Sequence, residues 1–221
     1  MQVRFQRPWP VGLLAVVLLP LGCGAPGRGG GEAEVGEPGA GEEKEVTVTE
    51  TERETGVEVR ADFSAAGEVA QWGPVNDVVM GGVSSSTVRA SDEGTAVFSG
   101  EVSLENNGGF ASVRSRPREW ELIGTRGLAL RVRGDGKSYK LGARTDDAFD
   151  GVTWQATFET VSGEWTTVRL SFADMEPRWH GRLVQNAGGL RPEAIRTLGL
   201  LISDKQEGPF RLELAWVGGW R

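Results

Sequence analysis

Phe210-Arg-Leu-Glu-Leu-Ala-Trp216 places large apolar side chains at every second position, with Arg211, Glu213 and Ala215 between them. A period of two marks a strand with one face on a core and the other toward solvent. The same alternation recurs in Leu128-Ala-Leu-Arg-Val132, Trp154-Gln-Ala-Thr-Phe158 and Val168-Arg-Leu-Ser-Phe172. Residues 83–88, 96–102, 110–114, 139–143 and 198–202 are further strand candidates. Turn signals separate them: Asp92-Glu-Gly94, Asn107-Gly108, Gly134-Asp-Gly136, Asp150-Gly151, Ser162-Gly163 and Glu207-Gly-Pro209. Short strands punctuated this way predict an all-β domain, an antiparallel sandwich or barrel. Helix is expected only as single turns, at 65–72 and at 191–196, the latter with Pro192 near its start.

The N-terminal residues have a different composition. Arg4 and Arg7 precede a short apolar run, 11–19, that ends in Leu19-Pro-Leu-Gly-Cys23. The run is too short to span a bilayer and correctly placed for an export signal. It resembles a bacterial lipoprotein signal, with residues 1–22 removed and Cys23 carrying the lipid. Cys23 is the only cysteine, so no disulfide can form within the chain, and lipidation accounts for an unpaired thiol in an exported protein. Residues 23–60 are rich in Gly, Glu, Pro and Thr and lack aromatics. Such a stretch cannot bury enough apolar surface to offset its ordering entropy, and it reads as a disordered tether. Residues 61–221 then form one domain of ordinary size. The expected location is the cell envelope, lipid-anchored and facing away from the cytoplasm.

The formal net charge is −7, but residues 24–62 carry eleven acids against four bases, which leaves residues 63–221 near −2. An acidic chain argues against nucleic acid as a partner, and the acidity belongs to the tether.

Catalytic and metal motifs are missing from the sequence. His180 is the sole histidine, and no Gly-x-Ser-x-Gly elbow accompanies it. No Cys/His spacing suits zinc. Gly134-Asp-Gly-Lys-Ser138 imitates a phosphate loop, yet the glycine required five residues before Gly136 is Arg131. Asp146-Asp-Ala-Phe-Asp-Gly151 imitates a calcium loop, yet Ala148 and Thr157 stand at ligand positions, the latter where a bidentate Glu belongs. No enzyme, no cofactor and no metal are expected.

The most distinctive stretch is Trp72-Gly-Pro-Val-Asn-Asp-Val-Val-Met-Gly-Gly-Val-Ser-Ser-Ser86, followed by Asn106-Asn-Gly-Gly-Phe110 and Arg114. With Phe98-Ser-Gly100, Gly127-Leu128, Arg131-Val-Arg-Gly-Asp-Gly136, Trp165 and Gly208-Pro-Phe210, these runs resemble the complex I intermediate-associated protein 30 family across roughly residues 62–217. The resemblance implies a galactose-binding-like jelly-roll β-sandwich and a non-catalytic role; mitochondrial members assist assembly of respiratory complex I. No Gly-x-Gly-x-x-Gly follows a strand here, so the dinucleotide-binding extension of some plant relatives is not expected.

Two functions are therefore expected: a protein-binding assembly module, or a carbohydrate-binding module suggested by the fold class and by eight tryptophans. Trp72, Asn76, Asp77, Met80, Gly81, Gly82, Asn107, Gly109, Phe110 and Arg114 are the candidate contact residues. The glycines either turn the backbone or bring it close to a ligand. Asn76 and Asp77 either hold a loop or meet sugar hydroxyls. Trp72 is either core or a stacking platform. Arg114, Arg144 and Arg182 offer planar recognition of a carboxylate, or lie on the surface. An exposed Trp beside polar groups in a concave region favours sugar; a flat apolar patch favours protein.

Overall fold

The computed structural model describes residues 56–77, 81–148 and 150–221, all within the unit Val46–Arg221. The signal segment, Cys23, the first thirty-three tether residues (23–55) and Met80 lie outside the described residues. The strands in chain order are β1 (Val57–Asp62), β2 (Trp72–Pro74), β3 (Ser85–Ala90), β4 (Ala96–Val102), β5 (Ala111–Ser115), β6 (Gly127–Arg133) and β7 (Ser138–Arg144). They continue with β8 (Thr153–Glu159), β9 (Trp165–Ser171), β10 (Glu176–Trp179), β11 (Arg182–Leu183), β12 (Thr197–Ile202) and β13 (Gly208–Trp220).

These strands form two antiparallel sheets. One runs β3-β4-β13-β6-β9 with β1 also on β13; the other runs β11-β10-β8-β7-β12-β5-β2. β13, which contains the strict alternation at 210–216, is the spine of the first sheet. Residues 208–214 pair with β4, and residues 216–220 pair with β1 along the same edge. The other edge pairs with β6, with a register shift between Leu214 and Trp216. That bulge explains why strict alternation ends there: Leu214 is buried, and so are Trp216 and Val217 in succession.

The core lies where the alternating apolar faces of the two sheets meet. Phe98, Leu128, Leu130, Leu212 and Leu214 come from the first sheet; Tyr139, Leu141, Leu198, Leu200 and Ile202 come from the second. All ten are at most 1% exposed, and most of the fold's hydrophobic stabilisation comes from such residues. Phe210 meets Phe98 edge-on at 4.8 Å and Tyr139 at 6.5 Å. The Tyr139 hydroxyl donates to Asp135 at 2.9 Å, and the other carboxylate oxygen of Asp135 accepts from Arg211 N at 2.8 Å. Gly134-Asp-Gly136 is thus a turn joining β6 to β7, with Asp135 as its pin.

Three features differ from the sequence reading. First, β1 begins at Val57, inside the stretch assigned by composition to the tether. Its pairing with β13 is a long-range contact that a composition window does not register. Second, β10 and β11 carry no alternating apolar pattern and were not expected. They are joined by His180 (φ 48°) and Gly181 (φ 76°), the two positive-φ residues that a tight hairpin turn requires. Third, both expected helical turns are short 3₁₀ segments, Val69–Gln71 and Pro192–Ala194.

Candidate functional site

The signature stretch folds around one carboxylate. Asp77 is 1% exposed. Its Oδ1 accepts from Ser84 N at 2.9 Å, and its Oδ2 accepts from Ser84 Oγ at 2.5 Å, Gly109 N at 2.8 Å and Phe110 N at 3.3 Å. Burial pushes this carboxyl upward; the Ser84 hydroxyl and the three backbone donors outweigh it, and the group sits below the ordinary carboxylate value. The glycines make room. A Cβ on Gly82 would lie 2.4 Å from Asp77 Cγ, and one on Gly108 would lie 2.7 Å from Asp77 Oδ2. Asn76 does related work, its Oδ1 accepting from Ser86 Oγ at 2.6 Å and Ser112 N at 3.2 Å.

Trp72 is in the core, 5.5 Å from Phe63 and 6.2 Å from Trp120 by ring centroids, with its Nε1 donating to Glu68 at 3.0 Å. Gly81 (φ 92°) and Gly109 (φ 128°) hold turn conformations that favour glycine. Asn107 ends a 3₁₀ turn, Glu105–Asn107, and only its backbone is described. So Asn76 and Asp77 tie the 75–86 and 103–112 segments together, while Phe110 and Arg114 lie on the far side of that tie, in a groove.

The groove lies on the outer face of the seven-stranded sheet and has a volume of about 560 Å3. Alternation along the strands determines what lines it. The residues between the core positions are Ser112 and Arg114 on β5, Lys140, Gly142 and Arg144 on β7, Thr153 and Gln155 on β8, and Thr197, Gly199 and Leu201 on β12. Register then sets them side by side. Arg114 pairs with Gly199, Gly199 with Gly142, and Gly142 with Gln155. Two glycines on adjacent strands lower the middle of the sheet, with the Thr153 methyl leaning over Gly142, and the groove runs there.

Its rims carry matched charges. Lys140 Nζ binds Asp204 at 2.7 Å and Ser203 Oγ at 2.9 Å. Arg178 binds Glu176 at 2.7 Å. Arg144, 3% exposed, binds Asp146 at 3.2 Å. Gly151 lies directly over it: a Cβ there would lie 2.5 Å from Arg144 Nη2. The β10–β11 hairpin delivers His180 to Asp150, at 3.0 Å, and the neighbouring Trp179 donates its Nε1 to the same carboxylate at 3.1 Å. Trp179 is 46% exposed, with its ring 4.3 Å from the His180 ring. A second cavity of about 510 Å3 shares Lys140, Gln155, Arg178 and Asp204 with the groove and continues it toward β9.

Most of these residues are absent from the sequence-based candidates. The period of two shows that Gly142, Thr153, Gln155, Thr197 and Gly199 alternate with core positions. It does not show that their strands are neighbours, and His180 and Asp150 meet only through a hairpin with no apolar signature.

The profile of a family described as complex I intermediate-associated protein 30 matches residues 61–214. A mitochondrial complex I intermediate-associated protein 30 of Drosophila melanogaster is 25% identical over 185 residues, covering 73% of this chain and 62% of the fly protein. Its mouse counterpart is 27% identical over 178 residues, covering 71% of this chain and 54% of the mouse protein. The chain thus spans about half to three-fifths of these relatives. Among solved structures, the family 11 carbohydrate-binding module of a cellulosomal cellulase of Clostridium thermocellum superposes with a TM-score of 0.58 at 14% identity, covering 75% of this chain and 95% of that one. The sandwich is therefore a galactose-binding-like jelly roll.

Proposed function

The chain belongs to the complex I intermediate-associated protein 30 family, and on that premise we propose that it is a non-catalytic binding module that holds a glycan chain along the groove of the seven-stranded sheet. Fold likeness alone does not choose a ligand. The observation that carries the reading is the shallow floor at Gly142 and Gly199, edged by the Thr153 and Gln155 side chains, between rims that carry both donors and acceptors. A sugar hydroxyl both donates and accepts, so cation–carboxylate pairs such as Lys140–Asp204 and Arg178–Glu176 match vicinal hydroxyls. Trp179, half-exposed, stands against the groove-lining Asp150 and His180, and an aromatic ring beside polar groups suits a sugar ring. The continuation into the second cavity suits an extended chain rather than a single sugar.

The full chain is expected to be retarded in native gels that contain a neutral or acidic polysaccharide it recognises. No retardation by any member of a broad neutral and acidic panel would remove the glycan reading.

A protein partner, in keeping with the association for which the relatives are named, is the second reading. It is supported by Val83 and Leu104, 50% and 38% exposed, which flank the Ser84–Ser103 contact on the signature loops. Crosslinking in native membranes followed by pull-down separates the two readings. The proposal also includes a lipid anchor on Cys23 that holds the module outside the cytoplasm. Intact-mass analysis of the membrane fraction should show a diacylated N-terminal Cys23; cleavage elsewhere without acyl mass removes the anchor.

A further inference from the structure

We infer that Gln155 reads the linkage of the glycan, its carboxamide taking two hydroxyls on adjacent ring carbons; this rests on the glycan reading above. The groove then holds chains whose sugars keep such a vicinal pair, as 1→4-linked hexoses do at C2 and C3. Gln155 sits on the outward face of β8, between the core residues Trp154 and Ala156. Register places Gly142 beside it on β7 and Glu176 beside it on β10. Gly142 offers no side chain on its side; a Cβ there would lie 4.0 Å from Gln155 Cγ. The amide therefore stands at the edge of the shallow floor.

Four residues line both cavities: Lys140, Gln155, Arg178 and Asp204. Three of them are committed. Lys140 and Asp204 bind each other, and Arg178 binds Glu176 and donates to Gly181 O at 2.9 Å. The Gln155 amide makes no hydrogen bond to a described residue, and neither of its polar atoms is enclosed. A ligand reaches it without breaking a bond already made. A carboxamide presents an acceptor oxygen and a donor nitrogen side by side. Two hydroxyls on neighbouring carbons meet both atoms at once, one donating and the other accepting. Internal sugars of a 1→3-linked hexopyranose chain keep ring hydroxyls at C2 and C4, on either side of a bridging oxygen. Such a sugar engages one amide atom and leaves the other unmatched. The neighbours do not swing in to replace it, because Glu176 is held by Arg178, and Lys140 by Asp204 and Ser203. A site that hydrogen-bonds a hydroxyl discriminates against the chain that lacks it.

The test uses the full chain in affinity gels containing long 1→4- or 1→3-linked glucans, galactans and mannans, with 1→4-linked polygalacturonate beside them. Chitohexaose, whose internal sugars have no vicinal diol, is a competing ligand. The tightest binder should carry a free vicinal diol, and a 1→3-linked chain of the same sugar should bind about tenfold more weakly. Gln155→Leu, similar in size, should weaken the tightest binder about tenfold and reduce the linkage preference to about twofold or less, with circular dichroism confirming its fold. Thr87→Val, exposed on β3 of the other sheet, should leave both unchanged. Equal binding of 1→4- and 1→3-linked chains overturns the role of Gln155 and leaves the glycan reading standing. So does an undiminished affinity and preference in folded Gln155→Leu, or stronger competition by chitohexaose than by any diol-bearing hexasaccharide. No binding by any of these, nor by any member of the broader polysaccharide panel, overturns both.

Discussion

Asp77→Ala lowers the stability of the domain by about 4 kcal/mol, read as a shift in the urea midpoint at an unchanged slope. The substitution removes the common acceptor of Ser84 N, Ser84 Oγ, Gly109 N and Phe110 N from a site that is 1% exposed. Three backbone donors are left facing a small dry gap. Gly82 and Gly108, which make room for the carboxylate, have no side chains with which to fill it. Asp77→Asn keeps the shape but turns one oxygen into a donor aimed at other donors, and it costs about half as much.

The native chain and Asp77→Asn also separate in pH. The folded-state value of Asp77 lies below its ordinary 3.8, so the unfolded chain binds the proton first as pH falls. Its stabilisation is complete above the unfolded value and is lost as pH drops through the folded one. The gap between the native chain and Asp77→Asn should therefore narrow below about pH 4. Glu213 titrates in the same direction; burial raises it, and Arg133 and Arg211 more than compensate. Because Glu213 is present in both proteins, the difference between them isolates Asp77. A gap that stays constant from pH 7 to pH 3 would remove the carboxylate from this role.

Filling the floor of the groove has the largest expected effect on binding. A Cβ on Gly142 would meet Thr153 Cγ2 at 2.8 Å and lie 3.9 Å from Gly199 O. Leu at 142 with Ala at 153 relieves that contact and places a branched side chain where the sheet is bare. For whichever glycan the native chain retains, Gly142→Leu/Thr153→Ala should weaken binding at least about a hundredfold, or about 2.8 kcal/mol at 1.4 kcal/mol per tenfold. Its far-ultraviolet spectrum should match that of the native chain. Affinity within about threefold of native, in a folded variant, would show that the ligand binds elsewhere. Gly199 is the poorer choice, because a Cβ there would lie 2.9 Å from the backbone oxygen of Val113 and would disturb the sheet itself.

The groove and the signature loops are one construction. Asp77 receives Phe110 N, and the chain enters β5 at the next residue. Asn76 receives Ser112 N, and Val75 N donates to Ser112 O. The stretch that identifies the family therefore anchors the strand that carries Ser112 and Arg114 into the groove. Loosening this anchor should impair the groove from a distance, because a site holds its geometry only as firmly as the elements beneath it.

Alternation along single strands was enough to read an all-β antiparallel sandwich or barrel from the chain, because a period of two is a local consequence of burying one face of a strand. Residues 96–102 were read to the residue, and β13 was found from seven of its thirteen positions. The glycine pairs and Asn76-Asp77 identified the family because tight turns around a buried carboxylate admit few residue types. Which strands stand beside one another was beyond such a reading. The meeting of Arg114, Gly199 and Gly142 across three strands, of Arg144 with Thr197, and of His180 with Asp150 depends on pairings between residues from 30 to 85 positions apart. Local pattern determines which face a residue takes; only the folded register determines its neighbours there, and this groove is made of neighbours.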